Sequence, residues 1–171
     1  MSRRKFIYVE GQTERALLQD VLKVSAKVVI FNLWKESVDK QLRYLQGLAD
    51  IYIVYDTDVM NQENVKRFSE NLRILKANRF LAGILQQTAN LEDELVRSCS
   101  GLVSKKDLHR LFSAQGNREF KRMLCNVTNL QDKLREVSFE HCKLWRGDHI
   151  AELKDFGKFR VDAEHLLKLR R

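Results

Sequence analysis

A chain of 171 residues with 44% hydrophobic and 32% charged side chains has the composition of a folded domain and is too apolar for a disordered one. Its longest uncharged apolar run, VVIFNLW, is far short of a membrane span, and the apolar stretch after the basic start of MSRRKFIYVE is too short for a secretion signal. The formal charge of +8 sits mostly in the second part: residues 1–98 hold 15 basic and 13 acidic groups, residues 99–171 hold 16 and 10.

The first part alternates between two periods. KFIYV (5–9) is a short β-rich run ending at Glu10-Gly11, and residues 13–24 place Leu17, Leu18, Val21 and Leu22 on one helical face. KVVIFNLW (27–34) is a second strand, and Ser37 caps a predicted helix carrying Val38, Leu42 and Leu45. IYIVY (51–55) is a third strand, ending at Asp56. Asn61 then caps a helix with Val65, Phe68, Leu72 and Leu75 on one face, and RFLAGIL (79–85) is a fourth strand. The order β-α-β-α-β-α-β means a parallel sheet with helices on its faces, and the continuous apolar strands agree, because parallel strands are buried on both sides.

Beyond residue 90 the period is helical. Asn90 caps LEDELVRSC, and Ser104 with Asp107 forms a capping box, with Val103 and Leu108 placed for a hydrophobic staple. Asn117 caps a helix bearing Phe120, Met123, Leu124 and Val127. Further stretches carry Leu130, Leu134 and Val137, then Phe139, Cys142 and Trp145, Ile150 and Leu153, and last Leu166 and Leu167. The fold class read from this is α/β, a parallel sheet in residues 1–98 followed by a basic α-helical extension, 99–171, packed on it. The basic extension points to a polyanionic partner, DNA or RNA, although the same charge also serves as a plain solvated surface. Cys99, Cys125 and Cys142 form no CxxC pair and read as reduced thiols of a cytoplasmic protein without a membrane partner. The four histidines show no zinc-ligand spacing.

Acidic residues stand at two strand ends: Glu10 after the first, Asp56 and Asp58 after the third. Ligands of open parallel sheets bind at the carboxyl ends of strands, where the strand order reverses. Carboxylates converging there make an oxygen-rich pocket for Mg²⁺ or Mn²⁺. Gly11 leaves room for a sharp turn, Glu14 points back towards the same cavity, and Asp56 and Asp58 face the same way if the strand runs through them. The bland readings are loop carboxylates for Glu10, Asp56 and Asp58, and acids favoured by helix dipoles for Glu14, Glu92, Asp93 and Glu94.

VEGQTE (9–14) and YDTD (55–58), spaced by two β/α units, resemble the TOPRIM domain of topoisomerases, bacterial primases and a group of nucleases. EGxTE is similar to the nuclease branch that includes the overcoming-lysogenization-defect enzymes. The resemblance implies that Glu10 is the invariant acid, that Asp56 and Asp58 hold the metal, and that Glu14 and one of Glu92 or Glu94 serve a second metal. It also implies a downstream catalytic lysine, for which EFKRM offers Lys121. The sequence holds no GxxxxGK[ST] phosphate loop, so a separate P-loop ATPase or another controlling protein is the partner the family habit implies. A Mg²⁺-dependent nuclease, acting in phage defence or RNA processing, is the expectation that follows. A primase-like nucleotidyl transferase fragment and a non-catalytic nucleic-acid-binding module are the alternatives.

Overall fold

Strands β1 (Arg4–Val9), β2 (Lys27–Ile30), β3 (Ala49–Tyr55) and β4 (Leu81–Gln86) form one sheet in the order β2-β1-β3-β4, and every pairing is parallel. The structure, a computed structural model, describes residues 3–45 and 48–169. Chain-order alternation of strand and helix forces this parallel arrangement, since each strand must be carried back to the same end of the sheet. From β1 the chain steps outward to β2, returns to the other side of β1 for β3, and continues outward to β4. The reversal of direction falls between β1 and β3. The α/β class, with a parallel sheet flanked by helices and a helical extension behind it, is thus as read from the sequence and is consistent with a TOPRIM-like fold.

Successive strand residues divide between two cores. Ile7, Val9, Val28, Val54 and Leu85 belong to one, Tyr8, Ile51, Ile53, Tyr55 and Ile84 to the other. Helices α1 (Gln12–Ala16), α4 (Leu91–Ser98), α5 (Lys105–Leu111), α6 (Asn117–Asn126), α7 (Leu130–Glu136) and α8 (Ala163–Leu167) supply the first core, through residues such as Leu95, Leu108, Phe120, Leu134 and Leu166. The second is filled from α3 (Gln62–Ala77) by Phe68, Leu72 and Leu75 and from a 3₁₀ segment, Ala151–Phe159, by Leu153 and Phe156. Residues beyond 98 therefore cover both faces of the sheet. The chain even rejoins it: Arg160 bridges Ile84 in parallel, and Val161 N–H donates to the Ile84 carbonyl at 3.2 Å.

Local signals hold at three of the five predicted helix caps; Val38, not Ser37, precedes the short helix after the second strand, without a side-chain cap. Asn61 Oδ1 accepts from Asn64 N–H at 2.8 Å, Asn90 Oδ1 from Asp93 N–H at 3.2 Å, and Ser104 with Asp107 closes the capping box. Several expectations are corrected. The helix read over 13–24 changes to a π-helical turn at Leu17–Val21, which keeps Leu17, Leu18 and Val21 buried. The second strand stops at Ile30 and the rest of KVVIFNLW turns away, folding Trp34 under the site. Helix α2 is only Asp39–Leu42. Val103 is 91% exposed and forms no staple, because Leu102 turns inward instead. Gly116, not Asn117, precedes the first turn of α6, and Met123 lies outside the core. The stretch around Leu153 is 3₁₀ rather than α, and a second 3₁₀ turn spans His141–Lys143.

One close approach locks the extension against β4. A Cβ built on Gly83 would lie 2.6 Å from Val161 Cγ2 and 2.7 Å from Tyr52 Cδ1, so only glycine leaves room for the returning chain. Gly83→Ala is expected to destabilise the protein by about 1–3 kcal/mol, the usual cost of overpacking a core. A urea titration checks this. An unchanged midpoint would mean that Val161 and Tyr52 move aside freely.

Candidate active site

The reversal point between β1 and β3 opens into a cleft of about 420 Å³ lined by Glu10, Gly11, Thr13, Glu14, Asn32, Asp56, Lys121 and Cys125, among others. Glu10 follows the last residue of β1 and Asp56 follows that of β3, so paired strands fix both positions. Glu14 enters from the first turn of α1 and is 4% exposed. Lys121 and Cys125 reach the cleft from α6, one helical turn apart and packed beside α1. The basic extension thus provides the cation of the site.

Glu10 is held by three donors from three places. Its Oε1 accepts from Trp34 Nε1 and from Asp56 N–H, both at 2.8 Å, and its Oε2 from Asn32 Nδ2 at 3.0 Å. An ionised carboxylate offers about four acceptor positions, so one remains, on Oε2. Asp56 Oδ1 accepts from Gln87 Nε2, whose amide also lies 3.5 Å from Glu14 Oε1. Gln87 is fully buried, and its own Oε1 has no hydrogen-bond partner among the described residues. The chain bends at Glu10 and Gly11 as expected, but Gly11 has an extended backbone open to any residue. What glycine supplies there is space, since a Cβ would lie 3.1 Å from Glu14 Oε2.

Burial raises the Glu10 carboxyl from the usual 4.5 to about 7, against the hydrogen bonds from Asp56 and Trp34, with Glu14 and Asp58 adding repulsion. Burial likewise raises Asp56 from 3.8 to about 9, and Glu10, Glu14 and Asp58 push the same way while Lys121 opposes them. Desolvation outweighs hydrogen bonding at Glu10, and one lysine does not balance the acids around Asp56.

The remaining expected site residues divide. Asp58 is exposed and outside the cleft lining, because β3 ends at Tyr55 and the chain turns. Asp58 N–H donates to the Ala89 carbonyl at 3.2 Å, and its carboxylate accepts from Asn90 Nδ2 at 3.1 Å. The expectation that Asp56 and Asp58 share a face is therefore not met, although Asp58 acts on both Glu10 and Asp56 through its charge. Glu92 is 2% exposed with Lys121 Nζ 3.7 Å from its Oε1, an oxygen with no hydrogen bond. Glu94 is turned elsewhere. Its Oε2 accepts from Thr88 N–H at 2.8 Å and Thr88 Oγ1 at 2.7 Å, while Oε1 accepts from Arg97 Nη2 and Trp145 N–H. With both oxygens occupied, Glu94 anchors the extension rather than offering a metal ligand.

Asn32, Trp34 and Gln87 are the site residues that sequence reading misses. Trp34 reads as one more apolar residue in a strand run, and Gln87 as a polar residue after one. Only the tertiary turn at 31–34 and the register of β4 beside β3 reveal them.

Among the described residues, no three His, Cys, Asp or Glu side chains form a ready-made metal-binding group. The donor chemistry nonetheless fits a hard divalent cation: the acids are all-oxygen donors, their charge exceeds that of Lys121, and a buried Gln87 oxygen beside them is unpartnered. No protein-family model matches the chain, and no curated protein and no solved structure matches it either. The likeness to TOPRIM proteins rests on the two motifs and the strand order that carries them.

The raised carboxyls make stability pH-dependent without metal. Between about pH 4 and pH 9 the folded chain binds more protons at Glu10 and Asp56 than the unfolded chain does, so stability is greatest at the acid end of that window and falls as pH rises. Thermal melts in EDTA at pH 5 and pH 9 check the sign. Asp56→Asn is expected to flatten the dependence, and a wild-type midpoint that rises with pH would contradict it.

Proposed function

We propose that the protein is a Mg²⁺-dependent nuclease that hydrolyses phosphodiester bonds of DNA or RNA. The observation that carries this reading is the meeting of Glu10 and Asp56 at the strand-order reversal, with Glu14 beside them and Lys121 facing them from the basic extension. Glu10, Glu14 and Asp56 would hold the cation, with Asp58 acting at the rim through its charge. A bound Mg²⁺ or Mn²⁺ supplies positive charge at a phosphate and lowers the pKa of water.

The chain's own residues divide the remaining work. Trp34, Asn32 and the Asp56 amide fix the Glu10 carboxylate and leave one acceptor position on Oε2, through which Glu10 would either hold the cation or instead take a proton from an attacking water. Gln87 orients Asp56. Lys121 stands where its ammonium would balance charge developing on a phosphate oxygen, and Glu92 keeps that ammonium in place. Phage defence and RNA processing, with a separate controlling ATPase, are the settings that fit a nuclease of this kind. The lack of a ready-made ligand group among the described residues favours the second reading, a nucleic-acid-binding module without turnover.

Incubation with labelled DNA and RNA in Mg²⁺, Mn²⁺ or EDTA separates these readings. Cutting that requires the cation is expected, and salt-sensitive binding without cutting would favour the second. Glu10→Gln is expected to lower the rate by roughly 10² to 10⁴, the range for a group acting in the transition state. Glu14→Gln is expected to cost less and to be partly restored by Mn²⁺. Full activity of Glu10→Gln would overturn the assignment.

A further inference from the structure

A second cleft, of about 460 Å³, is bordered by Trp145, Arg146, Arg160, Val161, Asp162 and His165. None of these residues contributes to the carboxylate site. Trp145 is 1% exposed, yet its backbone has φ of 56°, a left-handed conformation that bulky side chains rarely take. The Glu94 carboxylate grips the Trp145 N–H in that conformation. The same carboxylate holds Thr88, which follows the Gln87 bound to Asp56, so Glu94 connects the two clefts through the backbone.

Three features give the second cleft its chemistry. The buried indole N–H of Trp145 has no acceptor among the described residues, an unmade bond that ordinarily costs a protein stability. The Arg146 guanidinium donates no hydrogen bond to a described residue, and its one ion pair among them, to Glu164, is long at 3.7 Å between two half-exposed side chains. Arg160 donates to the Arg146 carbonyl at 2.7 Å and to Asp148 at 3.1 Å, which leaves part of its five-donor guanidinium unused. Asp148 is 97% exposed and easily displaced. Asp162 is occupied in capping α8 through His165 N–H at 3.0 Å. Two guanidiniums and an imidazole, whose Nε2 lies 3.4 Å from Tyr52 Oη, border a cavity of a size that matches a tetrahedral dianion.

We propose that this cleft binds a phosphate monoester, as carried by the end of a nucleic-acid strand or by a free nucleotide. The proposal rests on nucleic acid as the ligand class but not on cleavage, so binding tests it without metal. Fluorescence anisotropy in EDTA compares labelled oligonucleotides bearing a terminal phosphate, at the 5′ or the 3′ end, with the same strands ending in hydroxyl. One phosphorylated end is expected to bind roughly tenfold tighter. Arg146→Gln, at an exposed position, is expected to abolish that preference, and Trp145→Phe to reduce it. Competition by inorganic phosphate or a mononucleotide at equal concentration assigns the site to the free group; resistance to it assigns the site to the strand end. Equal binding of phosphate and hydroxyl ends, or a preference that survives Arg146→Gln, would overturn the proposal. Metal-dependent cutting by the same preparation would leave the nuclease reading standing in that case. Phosphate preference in a protein that cuts nothing would leave only the second cleft.

Discussion

The Glu10 carboxylate joins three separate parts of the chain at one point. Trp34 and Asn32 come from the turn after β2, the Asp56 amide comes from the end of β3, and Glu10 itself closes β1. These are the carboxyl ends of three neighbouring strands in the sheet. Charge-assisted hydrogen bonds are about twice as strong as neutral ones, so this junction fixes the floor of the cleft. It does so at a cost, because burial still raises Glu10 to about 7 and its neighbour Asp56 to about 9. The site therefore holds acids that the fold places firmly and the fold's own dipoles do not neutralise. A cation supplied from outside would relieve that.

The rest of the architecture serves that junction. Trp34 stacks on Phe68 of α3 with ring centroids 4.2 Å apart, so the side chain that donates to Glu10 is itself clamped by the second core. Gln87 ties the end of β4 to Asp56, and Glu94 ties the next residue to Trp145 in the extension. Lys121 then approaches from α6. A chain without the extension would lose the only cation among the described cleft-lining residues, much of the first core, and Leu153 and Phe156 of the second.

Much of the fold was legible in the sequence because its signals are local. Apolar runs of β-branched residues marked the strands, and Asn61, Asn90 and Ser104 marked helix starts that their own side chains cap. Glu10 and Asp56 were legible as cleft residues because strand ends impose their positions, and Glu14 because it stands one helical turn beyond Glu10. What was not legible depends on distant partners. Glu94 looked like its neighbour Glu92, and only the return of the chain at Trp145 separates an anchoring carboxylate from one beside Lys121. Asp58 followed the expected alternation on paper, but the bond from its amide to Ala89 turns the chain out of the strand. Trp34 carried no polar signal at all, since an indole in an apolar run reads as core until its N–H finds an acid.

The central claim is that buried, partly protonated acids at the strand-order reversal take up a divalent cation. Calorimetric titration of Mn²⁺ near pH 7, repeated in buffers of different ionisation enthalpy, counts the protons that leave as metal binds. A protonated Asp56 and a half-titrated Glu10 should release roughly one to two protons per site, fewer as pH rises towards 9. Binding with no proton release near pH 7, or no binding at all, would contradict the account.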